Sequence, residues 1–226
     1  MSETELRITH ELVTCRMAGD DEESRAKSAR SIGGYAAVFN RVSQNLGGFV
    51  ERIDPAFFNK SAGDGWPGVM ARYNHDDNQL LGTSAAGTLR LKVDGVGLDY
   101  TVDTPRTRED VLELVQRGDV RQSSFAFTVF EDDWSQTPEG FPLRTLLSGR
   151  LIDVAPVNNP AYLDTSVGAR SALDSLARKF DADPVEVRAL AAKGELVSLF
   201  TTTDRTDSGA VYSARAGALA ATLARL

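Results

Sequence analysis

The sequence predicts a mostly β domain with accompanying helices (α+β), on three observations. Short apolar runs with period-two alternation follow one another closely between roughly residues 6 and 168. Thr88-Leu89-Arg90-Leu91-Lys92-Val93 and Leu98-Asp99-Tyr100-Thr101-Val102 alternate strictly around Asp94-Gly95, a tight hairpin signal. After about Ser171 the character changes to alanine, leucine and charge at helical spacing. Strands in such close succession leave no room for crossover helices. A largely antiparallel barrel or sandwich with one or two helices is therefore expected, rather than a parallel α/β sheet.

The elements follow in order. Leu6-Arg7-Ile8-Thr9 and Glu11-Leu12-Val13-Thr14 alternate and predict a short strand. Gly19 to Lys27 is a charged connector with nothing to bury. Ser31-Ile32-Gly33-Gly34-Tyr35-Ala36-Ala37-Val38-Phe39-Asn40 reads as a glycine-led strand ending in a turn residue, and Phe49 to Ile53 as another. Asp54 and Pro55 mark a helix start, the first as N-cap and the second at the first helical position. Gly68 to Asn74 is a strand that delivers His75 at its end. Thr107 to Gly118 predicts a helix capped by Thr107, acidic in its first turn and stopped by Gly118. Strands follow over Val120–Glu131 and Leu143–Val154. Helical pattern then covers Ala172–Phe180, Pro184–Lys193 and Ala214–Leu226, with a polar Thr201–Gly209 stretch among them.

Composition narrows the function. With 42% hydrophobic and 25% charged residues, the 226-residue chain has the make-up of a globular protein with a sizeable core. A net charge of −7 argues against direct nucleic-acid binding, which needs clustered Lys and Arg. No apolar run is long enough to span a membrane, and the acidic Met1–Leu6 start is not that of a secretory signal. The single cysteine, Cys15, permits no internal disulfide and fits a reducing, cytoplasmic setting as a small strand residue. No Gly-rich phosphate loop is present, and two histidines are few for a metal set around His75, Asp76 and Asp77, so no cofactor or metal is expected.

Three segments carry candidate chemistry: Tyr73-Asn74-His75-Asp76, Gln122-Ser123-Ser124-Phe125-Ala126-Phe127 and Leu151-Ile152-Asp153-Val154-Ala155-Pro156. Serine hydrolysis needs a hydroxyl nucleophile, a base to take its proton and a third group to orient that base. Of the two histidines, His10 lies in a polar N-terminal stretch and His75 follows an apolar run, so His75 is the better base. Ser123 and Ser124 interrupt an aromatic run and leave a notch beside Phe125 and Phe127. Asp153 alternates out of phase with Ile152 and Val154, which points it either to solvent or to a partner such as a histidine. A non-enzymatic scaffold or interaction protein, docking through its helical tail, is the alternative.

In order, spacing and flanks these segments resemble those of the tailed-phage (caudovirus) prohead maturation proteases, a family similar in fold to herpesvirus assemblin. Gly34–Asn40, Glu51–Phe57, Gly82-Thr83, Asn159-Pro160-Ala161-Tyr162 and Asp164–Val167 extend the resemblance over roughly residues 30–168. The resemblance implies a closed, largely antiparallel β-barrel with surrounding helices. It implies Ser124 as nucleophile, His75 as base and Asp153 as third member, where the family more often has glutamate. Arg150 falls where it could support the oxyanion through water. Further implied are the scaffolding segment of the major capsid protein as substrate, self-cleavage, self-association, and a location in the assembling prohead within the bacterial host's cytoplasm. The expected organisation is an N-terminal strand and connector over 1–30, a protease domain over 31–168, and a helical tail over 169–226 that is self-cleaved or capsid-targeting.

Overall fold

The computed structural model describes residues 3–15, 30–158 and 165–201. The charged connector, the Asn159–Tyr162 motif and the stretch after Thr201 lie outside them. The described chain is mixed α+β, with strands in two sheets. In the first, β1 (Thr4–Leu12), β9 (Gln122–Gln136), β10 (Pro142–Val157), β5 (Met70–Arg72) and β6 (Leu80–Thr83) lie in that order. The second runs β2 (Thr14–Cys15), β3 (Ser31–Val38), β8 (Gly97–Asp103) and β7 (Leu89–Val93). Most pairs are antiparallel, as expected. However, β4 (Val50–Ile53) and β5 both pair parallel to β10, at opposite ends of that long strand.

Among the described residues the strands pair as two sheets, and neither closes on itself in its backbone pairing. The reason lies at the N-terminal corner, where one continuous run passes from sheet to sheet. Val13 N–H donates to Arg121 O at 2.8 Å as the chain leaves β1 for β2, and Thr9 Oγ1 donates to Tyr35 O at 2.9 Å between β1 and β3. Backbone pairing gives way there to isolated bonds, which hold the sheets edge to edge.

Between the sheets lies the main core. Phe125 and Phe127 of β9 stack with centroids 4.8 Å apart; Phe57 meets Phe127 edge-on at 5.4 Å, and Phe58 meets Phe125 at 5.8 Å. All four are fully buried, each worth about 1.5–3 kcal/mol of transfer free energy. Gly149 makes the close approach possible. A Cβ there would sit 2.3 Å from Phe57 Cζ and 2.7 Å from Thr128 O. Gly149→Ala is expected to destabilise the fold by about 1–3 kcal/mol through overpacking. Chemical denaturation measures this, and an unchanged midpoint would mean that β10 has slack at this point.

On β1 the alternation predicts a strand correctly, but its faces are inverted. Glu5 and Arg7 are buried at 0% and 8% exposure, while Leu6 is 39% exposed. The inward charges are matched: Arg7 and Arg144 interleave with Glu5, Glu51 and Asp132.

Helix bounds differ from the sequence pattern where local turns intervene. After Asp54 the chain makes turns, with Ala56 N–H donating to Asp54 Oδ1 at 2.8 Å, and α1 begins only at Asn59 (Asn59–Gly63). Thr107 lies inside a 3-10 turn (Arg106–Arg108), so α2 (Glu109–Arg117) starts without a side-chain cap; Gly118 stops it at φ +80° as expected. α3 (Thr165–Lys179) and α4 (Pro184–Lys193) build a second core with Phe49 and Trp134. Asp183 caps α4 by accepting from Val185 N–H at 2.8 Å. Trp134 Nε1–H donates to Ser175 Oγ at 2.7 Å, which ties α3 to β9. No helix among the described residues is long and apolar enough to cross a membrane.

Candidate active site

Register decides which side chains share a face. Residues directly opposite in an antiparallel pair point the same way. Leu151 lies opposite Phe127 and shares its core face. A bulge at Ile152 then shifts the ladder, so that Asp153 opposes Ala126 and Ala155 opposes Ser124. Without that extra residue Asp153 would follow Leu151 into the core. The bulge turns it onto the face that carries Ser124.

His75 reaches this face from the end of β5. The chain leaves Arg72 in a 3-10 turn whose last two residues are left-handed, Asn74 at φ 55° and His75 at φ 59°. Such backbone is rare outside glycine and concentrates where a side chain must be aimed. Asn74 tolerates it, and its Oδ1 accepts from Asn158 N–H at 3.1 Å, which pins the turn to the end of β10.

The three side chains form one hydrogen-bonded line. His75 Nε2 lies 2.7 Å from Ser124 Oγ, and Nδ1 lies 2.7 Å from Asp153 Oδ1. The Asp153 carboxylate can only accept when ionised, so Nδ1 carries the hydrogen and Nε2 faces Ser124 with its lone pair. Ser124 Oγ also lies 2.9 Å from the carbonyl of Arg7 on β1. The single hydroxyl hydrogen thus has two acceptors in reach. A backbone carbonyl is too weak a base to keep it, whereas an imidazole can take it up. Burial is graded along the line: Ser124 is 1% and Asp153 0% exposed, whereas the His75 side chain retains 14%.

Ser123 and Arg150 stand apart from this cluster. Ser123 points to the other face, fully buried, with its Oγ 3.2 Å from the Tyr100 hydroxyl. Arg150 is exposed on the Ser124 face but opposite Thr128, four positions along β9. At ~3.3 Å per residue that separates the backbones by about 13 Å.

A different arginine does enter the site. Arg72 donates from Nε to Asp153 Oδ2 at 2.5 Å and from Nη2 to the same oxygen, while Nη1 bonds the exposed Asp77. Sequence reasoning left Arg72 without a role; its one signal was a cation inside an otherwise apolar strand. Asp76 turns back on its own loop, where its Oδ1 accepts from Asn78 N–H at 2.8 Å. Among the described residues no group of three His, Cys, Asp or Glu side chains is placed to hold a metal ion.

A nucleophile, a base and an acid in line are the parts of a hydroxyl-activating hydrolase. Compared with known proteins, residues 18–179 match the family model described as caudovirus prohead serine protease. That span holds His75, Ser124, Asp153 and Arg72, while β1 lies before it. No curated protein and no solved structure gives a significant match.

Proposed function

Because the chain belongs to the caudovirus prohead serine protease family, we propose that it cuts the scaffolding segment of the major capsid protein inside the assembling prohead. The observation that carries this reading is the unbroken hydrogen-bonded line Ser124–His75–Asp153 within the family-matched span. In the mechanism His75 takes the Ser124 proton as Oγ attacks a peptide carbonyl. Asp153 holds the ring in the tautomer that leaves Nε2 free and stabilises the imidazolium that forms. The protonated ring then gives its proton to the leaving amine, and water hydrolyses the acyl-enzyme. The two sheets, joined through β1 and β2, are on this reading the halves of the barrel that the family resemblance implies.

The same reading includes self-cleavage of the C-terminal tail. α3 and α4 bury Leu173, Leu176 and Val187 against Phe49 and Trp134, an apolar face the body would lose if the cut fell before them. The cut is therefore assigned to the polar Thr201–Gly209 run, which is rich in residues that accept an extended conformation. Burial of Ser124 favours low activity in the free chain and self-association in the shell as the trigger.

The test is to assemble the protein with its capsid precursor and to identify new termini by mass spectrometry. New capsid termini, with loss of the tail after Phe200, are expected from wild type and absent from Ser124→Ala. An intact precursor in both, inside correctly formed shells, would instead make the protein a non-enzymatic assembly factor.

A further inference from the structure

We propose that Arg72 is a positioning residue for this site, acting through Asp153 and not on substrate; the inference rests on the protease reading above. Its first support is the division of labour at the carboxylate. Two guanidinium nitrogens of Arg72 take Oδ2, and His75 Nδ1 takes Oδ1. A carboxylate held at one oxygen only can rotate; one held at both is fixed in plane, and with it the imidazole it orients.

The second support is burial. Asp153 is 0% exposed, so water cannot stand in for a missing partner. A buried carboxylate lacking a cation loses far more than it recovers from one neutral hydrogen bond. Here the cation comes from the neighbouring strand: β5 runs parallel to β10 with Met70 opposite Asp153, and Arg72 lies two residues further on. Arg72 and His75 thus belong to one six-residue run, 72–77, that grips both oxygens of the same side chain. Asp77, 85% exposed, holds the outer nitrogen of Arg72 and completes the clamp at the surface.

A double-mutant cycle distinguishes positioning from general structural support. Arg72→Leu is expected to lower kcat about 10- to 100-fold with little change in KM, the usual cost of removing a group that orients a working side chain. In an Asp153→Asn background, where there is no carboxylate to hold, Arg72→Leu is expected to cost less than about twofold. Arg72→Lys, which keeps the charge but loses the fork, should fall between wild type and Arg72→Leu; it serves as the readout if the leucine variant does not fold. An equal loss from the Arg72 substitution in both backgrounds, or full kcat in Arg72→Leu, overturns the proposal. Ser124→Ala runs alongside. If it cuts as fast as wild type, or wild type never cuts, the protease reading itself has failed and this inference falls with it. If only Arg72→Leu keeps full rate, the Arg72 assignment alone is wrong.

Discussion

Ser124→Ala and His75→Ala are each expected to abolish precursor cleavage, with losses of roughly 10⁶-fold, while the fold persists. Neither side chain is needed to fill the inter-sheet core: Ser124 lies on the opposite face of β9 from Phe125 and Phe127, and His75 sits at the end of a turn. Asp153→Asn keeps shape but removes the acceptor that fixes the ring tautomer, so a smaller loss, about 10⁴-fold, is expected. Combining any two should add little, because the three act as one unit. Ser123→Ala is the contrasting control. Its hydroxyl serves Tyr100 in the core, so cleavage should continue at a rate near wild type, with at most a modest loss of stability. Rates measured on the assembled precursor, with circular dichroism of each variant, check the set. A dead Ser123→Ala beside an active Ser124→Ala would move the nucleophile by one residue.

The second large effect is expected in folding. Arg144 is 1% exposed and donates to Glu5 Oε2 at 2.7 Å, Glu51 Oε2 at 3.0 Å and Asp132 Oδ2 at 2.6 Å. Burial penalises its charged form, yet the carboxylates of Glu5 and Glu51 outweigh that penalty and hold its proton more tightly than in a free arginine. Arg144→Met would leave Glu5 and Glu51 to share Arg7 alone, and Asp132 with only the Ser175 hydroxyl. Removing one partner of a buried ion cluster costs about 3–5 kcal/mol, a large fraction of the stability of an ordinary domain. The expected result is a collapse of the denaturation midpoint or insoluble expression. Adding Glu5→Gln removes one uncompensated charge and should restore part of the loss. If Arg144→Met unfolds at the wild-type denaturant concentration, the cluster does not hold β1 in place.

That cluster also marks where the sequence stopped being legible. The local signals read well. Pro184–Lys193 is the helix its pattern predicts, because Asp183, Pro184 and Gly194 are start and stop signals within a few residues of it. The Asp94-Gly95 hairpin forms for the same reason. Pattern singles out His75 over His10 and marks Ser123, Ser124 and Asp153 as polar residues in apolar strands, but the choice of Ser124 and the role of Asp153 rest on the family resemblance. What could not be read depends on distant partners. Glu5 and Arg7 look like the solvent side of β1 until Glu51 and Arg144 are placed beside them. The bulge at Ile152 appears only once β9 is paired, and without it Asp153 would face the core. Arg72 was passed over because its partner is 81 residues away. β6 was missed because Leu80-Leu81-Gly82-Thr83 is too short to show a period and is a strand only by pairing with β5.

On this reading Ser124 Oγ, activated by His75, is the attacking atom. The most direct measurement traps it: a fluorophosphonate is added while the capsid precursor is being cut, and the adduct is mapped by peptide mass spectrometry. A single phosphonylated residue at Ser124, absent from His75→Ala, is the predicted result. An adduct on Ser123 or elsewhere, or undiminished cleavage with Ser124 unmodified, would contradict it.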